Sequence, residues 1–99
     1  MILEHAVLQV KPGEGQRFEQ ALKEALPLIA ASPGFLGLEV RPQCDDPQRY
    51  LLLVRWQARA DHTEGFRRSE RYLRWKALLH PFYEPFPVVE HFGPAIASA

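Results

Sequence analysis

The side chains best equipped for chemistry in this sequence are a histidine, His62, and the aromatic residues around it. His62 falls in the first turn of an expected helix, close after an apolar strand, where an imidazole can point into the gap between helix and sheet. The positive end of a helix disfavours a protonated imidazole, and a neutral one can accept a phenolic proton. The plainer reading is a solvated histidine beside a helix start. Trp56, Phe66, Tyr72 and Trp75 gather at the same helix–strand junction. Flat aromatic walls suit a planar ligand, and Tyr72 adds a polar handle. Core packing is the competing role, and it fits Trp56 best.

Two further strands carry Glu4 with His5, and Glu90 with His91. If His5 and His91 faced each other, two imidazoles and a carboxylate could form a metal site. The spacing does not demand one and no metal is assigned; His91 is read instead as an active-site partner. Arg55 interrupts an apolar strand. A buried cation needs a counter-charge, and Glu39 on the adjacent strand is the expected one; anchoring an anionic substrate is the second reading of Arg55. Arg67, Arg68, Arg71 and Arg74 are interspersed with Glu64 and Glu70 at helical spacing, the pattern of a solvated, salt-bridged face. The chain has no phosphate-binding glycine loop, paired-cysteine motif, Ser–His–Asp arrangement or nucleotide fingerprint, so no tightly bound cofactor is expected.

The elements that must position these groups follow from periodicity and punctuation. Residues 2–10 alternate as a strand, with Ile2, Glu4, Ala6, Leu8 and Val10 on the face expected to meet the helices. Residues 14–31 repeat Phe18, Leu22, Ala25 and Ile29 at helical spacing. Pro27 predicts a bend near the end of that helix, and Ser32-Pro33-Gly34 stops it. Residues 35–43 read as an edge strand with Leu36, Leu38 and Val40 on one face; Gly37 and Pro42 point to a bulge or a close backbone approach. Residues 49–57, nearly continuously apolar, read as a central strand buried on both faces. Asp61 with Glu64 has capping-box spacing and opens a second helix through Phe66, Leu73, Trp75 and Leu79 to His80. The segment Pro81–Pro87 is an extended aromatic loop, either a lid or, as preferred here, a wrap across a partner subunit. A short strand spans 88–92, and the tail 95–99 is expected to fray.

The order βαββαβ predicts one α+β domain over 1–99: a ferredoxin-like antiparallel sheet with both helices on one face. The other face would carry Leu3, Val7 and part of the third strand. That surface is too apolar to stay bare, so a second copy is expected to cover it and close a barrel-like homodimer.

Composition agrees with a small globular domain. The 99 residues are 46% hydrophobic and 24% charged. Twelve basic residues balance twelve acidic ones, leaving no net field for nucleic acid or an acidic membrane surface. Apolar runs such as Leu51–Val54 are far too short to span a bilayer. The opening Met-Ile-Leu-Glu-His does not read as a signal peptide. With Cys44 as the one cysteine, no intrachain disulfide can form, which suits the reducing cytoplasm.

Several stretches together resemble the antibiotic biosynthesis monooxygenase family. They are the opening run Leu3–Gly13, Pro33–Gly37, Tyr50–Trp56 leading to His62, Phe66–Ser69, Tyr72–Trp75, and Pro87–Phe92. The resemblance covers nearly the whole chain and implies the dimeric α/β-barrel fold. It implies less about chemistry. Some members oxidise aromatic polyketides or quinols with O₂ and neither metal nor flavin; others degrade haem. The haem-degrading branch uses an Asn on the first strand and a Trp and a His on the second helix. Here those positions hold Ala6, Phe66 and Lys76, so haem degradation is not implied. The expectation is a cofactor-free monooxygenase for a small aromatic, quinol or polyketide-like substrate, with His62 as base and His91 supplying a further hydrogen bond. A non-catalytic small-ligand-binding or structural dimer is the alternative.

Overall fold

The alternation of residues 2–10 sets the frame. In the computed structural model, which describes residues 1–99, strand β1 runs Ile2–Gln9 and turns Glu4, Ala6 and Leu8 inward. Helix α1 (Gly15–Ala30) buries Phe18, Ala21, Ala25 and Ile29 against that face. Strands β2 (Phe35–Pro42) and β3 (Arg49–Trp56), helix α2 (Glu70–Leu79) and the short strand β4 (Glu90–Phe92) complete the βαββαβ order. The sheet is antiparallel throughout, in the order β2-β3-β1-β4. This is the ferredoxin-like α+β arrangement. One core fills the layer between sheet and helices; Phe18, Ile29, Val54, Trp56, Phe66 and Leu79 are its largest fully enclosed side chains bar Val10.

β3 lies inside the sheet, as its apolar character predicts, but only one of its faces is enclosed. Tyr50, Leu52, Val54 and Trp56 are buried, whereas Leu51, Leu53 and Arg55 are half-buried on the open face. β2 is one of the two edge strands, with β4 at the other edge, and its register shifts between Phe35 and Gly37. That bulge corrects the expected face: Phe35, Leu38 and Val40 pack on the core, while Leu36 is displaced into solvent. α1 continues through Pro27 without a break. Pro27 and Lys23 are both exposed, so the carbonyl that loses its partner can be hydrated.

The second helix departs most from expectation. Asp61 is not its cap. The Asp61 carboxylate accepts the Ala58 N–H at 3.0 Å and closes the turn before residues 61–66. Those residues form one wide π-helical turn, closed by the Arg67 N–H donating to the His62 carbonyl. α2 starts afresh at Ser69, whose Oγ accepts the Tyr72 N–H at 3.2 Å. Leu73, read from sequence as part of the apolar stripe, points to solvent. A turn of 3₁₀ helix over His80–Phe82 follows, and the chain then pairs with the end of β1 through Glu84 N–H to Gln9 O at 2.9 Å. The last strand is shorter than expected, 90–92 rather than 88–92.

Candidate active site

Strand register decides which histidines can act together. Glu4 lies opposite His91 and His5 opposite Glu90. His5 and His91 are therefore on opposite faces, and the metal site imagined between them does not form. His5 faces the open side, with Nδ1 3.8 Å from Glu90. His91 points to the helix side and meets His62.

The wide turn at residues 61–66 explains how His62 gets there. It presents His62 and Phe66, four residues apart, toward the sheet, and both are buried. Extra-wide helical turns of this kind recur at functional sites. His62, 3% exposed, stacks on Trp56 with ring centroids 5.5 Å apart and planes 19° apart. Its Nδ1 is 2.8 Å from His91 Nε2, and its Nε2 is 3.4 Å from Glu4 Oε1. Trp56 Nε1–H donates to the same Glu4 oxygen at 2.9 Å. A neutral imidazole carries one N–H. Placed on Nε2 it faces Glu4, and Nδ1 then accepts from His91. Four residues from β1, β3, the π-helical turn and β4 thus form one polar chain: Trp56, Glu4, His62, His91.

Burial governs its charge states. Desolvation, aided by the positive fields of Arg67 and His91, pushes His62 down to about 3 from its usual 6.5. His91 is lowered too, by burial first and then by Arg59 and Arg67. Glu4, 5% exposed, moves the other way: burial raises it above the usual carboxylate range, opposed by the Trp56 hydrogen bond and by Arg67. Glu4 is the member of this polar chain that the sequence reading did not place at the His62 cluster. A carboxylate at an inward position of an apolar strand was the available signal.

The chain opens onto a cavity between sheet and helices, lined by Glu4, His62, Phe66, Tyr72, Trp75 and, from the far side, Phe86 among others. Phe66 stands edge-on to both Tyr72 and Trp75, with centroids 5.4 and 5.7 Å away. Its free volume is about 40 Å³, room for a few waters. Of the sequence-derived candidates, His62, Phe66, Tyr72 and Trp75 line it. Trp56 sits behind His62 as core and hydrogen-bond donor, and His91 sits at the outer end of the polar chain. Arg55 is not there. It pairs in register with Leu3 and Gly37 on the open face, where its guanidinium occupies the space a Cβ at Gly37 would need. Glu39 does not partner it; that carboxylate binds Arg41 at 2.9 Å. Within the basic stripe, Arg68 pairs with Glu64 as predicted, but Arg71 ties α2 to the Ser32 hydroxyl and the Leu28 carbonyl, and Arg67 borders the cavity.

Comparison with known proteins places this fold. The family model described as antibiotic biosynthesis monooxygenase matches residues 1–78. The chain belongs to that family. It is 48% identical over 92 residues to the uncharacterised protein YczJ of Bacillus subtilis, covering 93% of this chain and 97% of the relative. A Bordetella bronchiseptica protein assigned to the antibiotic biosynthesis monooxygenases superposes with a TM-score of 0.90 at 30% identity, over 96% of this chain and 97% of that one. SnoaB, a cofactor-independent oxygenase from Streptomyces nogalater, shares the fold at a TM-score of 0.84 and 14% identity, covering 97% and 94%. No helix is long and apolar enough to cross a membrane.

Proposed function

We propose that this family member is a cofactor-independent monooxygenase acting on a small aromatic, quinol or polyketide-like substrate in the cytoplasm. The observation that carries this reading is the buried Glu4–His62–His91 chain opening onto an aromatic-lined cavity. Such chemistry asks a protein to deprotonate the substrate, orient it and keep water out, because the electron-rich carbanion itself reduces O₂. Phe66, Tyr72 and Trp75 supply flat walls, and the His62 cluster supplies acid–base groups. Arg55 has no part in this cavity and is better read as a constituent of the assembly surface.

The working form is proposed to be a homodimer. Leu3, Val7, Leu51 and Leu53 form a half-buried apolar band on the open face, with Phe92 exposed at its margin. A second copy laid on this band gives it the cover that α1 and α2 give the other face. The decisive experiment is oxygen uptake with a panel of anthrones and quinols. The wild type should consume O₂, and His62→Ala should lose most of that activity; a fully active His62→Ala removes the cluster from the reaction.

One observation favours a second reading. A free volume of about 40 Å³ is far below the roughly 300 Å³ of small-molecule sites. A non-catalytic dimer of the same fold needs no larger cavity. Failure of the wild type to consume O₂ with every compound in the panel would favour this second reading.

A further inference from the structure

Glu4 is a buried carboxylate with one oxygen bonded inside the chain and the other not sealed from water. A carboxylate taken out of water needs hydrogen bonds to both oxygens or a close cation. Here Oε1 receives Trp56 Nε1–H and faces His62 Nε2, while Oε2 has no hydrogen-bond partner within the chain. Glu4 lines the cavity. His62 is the reverse case: one ring face is covered by Trp56, Nδ1 lies 2.8 Å from His91, and Nε2 faces Glu4 at 3.4 Å. With its N–H placed on Nε2, toward Glu4, the Nδ1 lone pair is taken up by His91 and none is left for a substrate. We propose that Glu4, through its unpartnered oxygen, takes the substrate's proton and returns it, and that His62 is the positioning residue that aims it.

This rests on the oxygenase reading above and assigns its proton transfers. With an anthrone-type CH₂ and O₂ as oxidant, Glu4 removes one C–H proton and leaves a carbanion. The carbanion passes an electron to O₂, and the resulting pair joins in a C–O bond as a peroxide anion. Glu4 returns its proton to that peroxide. It then takes the second C–H proton as the C=O bond forms and the O–O bond breaks. The departing hydroxide receives that proton and leaves as water. One CH₂ and one O₂ yield one carbonyl and one water, and Glu4 finishes ionised as it began. Burial suits both halves of the cycle, since a carboxyl group above its usual range is a stronger base when ionised and a competent acid at neutral pH.

The test is oxygen uptake with dihydroxyanthrone by wild type, Glu4→Gln and His62→Gln, with the Glu4 carboxyl followed by carbon-13 NMR titration. Glu4→Gln keeps an oxygen to accept the Trp56 N–H, so its fold should survive. Its kcat should fall roughly 10²–10⁴-fold with little change in KM. His62→Gln should lose less activity and displace both the carboxyl titration and the lower limb of the pH–rate profile together, which a purely structural role would not do. The other groups near Glu4 or its chain are Arg67, His91, Tyr72, His80 and Tyr83; replacing Arg67 should raise the Glu4 titration further, because its positive charge now opposes that rise. Wild-type uptake with a Glu4→Gln activity within about threefold of it overturns the proposal and leaves the oxygenase reading standing. If Glu4→Gln does not fold, a wild-type Glu4 carboxyl titrating below the usual glutamate range overturns it equally. No uptake by the wild type overturns the oxygenase reading, and this assignment with it.

Discussion

Protonating His62 should unfold this protein, and the structure sets the scale. The folded imidazole titrates at about 3 against 6.5 when free in water. The unfolded chain therefore binds the proton more readily between those values. His62 contributes stability that is fully present above about pH 6.5 and is lost as pH falls toward 3. The ceiling is about 5 kcal/mol, from roughly 3.5 units at about 1.4 kcal/mol each, and the share lost between about pH 7 and pH 4 is about 3 kcal/mol. That is a large part of the ~5–15 kcal/mol that holds a domain together. Glu4 acts with the opposite sign. Its folded value is raised, so it adds stability below the usual carboxylate value of 4.5 and withdraws it as pH rises through the folded value.

The two contributions overlap in acid, so the His62 share must be isolated by difference. Urea unfolding of wild type and His62→Gln at matched protomer concentration does this. The variant is expected to be less stable at neutral pH, because its amide cannot reproduce the stack on Trp56. The gap between the two proteins should then shrink by about 3 kcal/mol between about pH 7 and pH 4, a midpoint convergence of about 2 M urea for a slope near ~1.5 kcal/mol per M. Parallel stability–pH curves would refute the reasoning. They would mean that a protonated His62 pairs with an ionised Glu4 well enough to cancel its own desolvation.

Other perturbations test the frame. Phe18 is fully buried among Tyr50, Phe82 and Tyr83, so Phe18→Ala should cost about 3–5 kcal/mol in urea unfolding; a loss below ~1 kcal/mol would mean the core collapses around the gap. Gly34 has φ +82° and a Cβ there would strike the Asp61 carboxylate, so Gly34→Ala should destabilise by about 1–3 kcal/mol, again read in urea; an unchanged midpoint would mean this turn is adaptable. Leu53 lies in the centre of the open face. Leu53→Glu should convert the proposed dimer to monomer in sedimentation at micromolar concentration without loss of helical signal, and a wild type that sediments as a monomer would refute the interface.

The fold was legible because its signals are periodic. Alternation in β1 and β3, helical spacing in α1 and the positions of Gly and Pro sufficed for element order, the edge position of β2 and the bare sheet face. What escaped was set by single residues. The bulge at Leu36 puts Phe35 in its place on the core face beside Leu38 and Val40, and the register shift between Phe35 and Gly37 reveals it. A capping-box spacing at Asp61 was outcompeted by a turn in which that carboxylate serves Ala58, and Ser69 took over the cap. Of the candidate site, the gathering of His62, Phe66, Tyr72 and Trp75 about one cavity was expected because they cluster along the chain. Glu4 was not, because its significance lies in contacts with Trp56 and His62 that are remote in sequence.

β1 shows why the two halves of this proposal are one construction. Successive side chains of a strand point to opposite faces, so Glu4 enters the cavity while Leu3 and His5 look toward the open face. The strand that carries the proposed base is thus also a floor of the proposed interface. Sheet register couples them: a slip of one residue would exchange every inward and outward side chain, exposing Glu4 and burying His5. The pairing of β1 with β3 along its whole length opposes such a slip, since eight consecutive residue pairs would have to part. A second copy pressing on Leu3 and Val7 would further hold β1 flat beneath the cavity. Assembly and chemistry in this fold therefore should not separate cleanly. A variant that breaks the dimer is expected to loosen Glu4 as well, and loss of activity in Leu53→Glu would be its sign even though Leu53 lies on the face opposite the cavity.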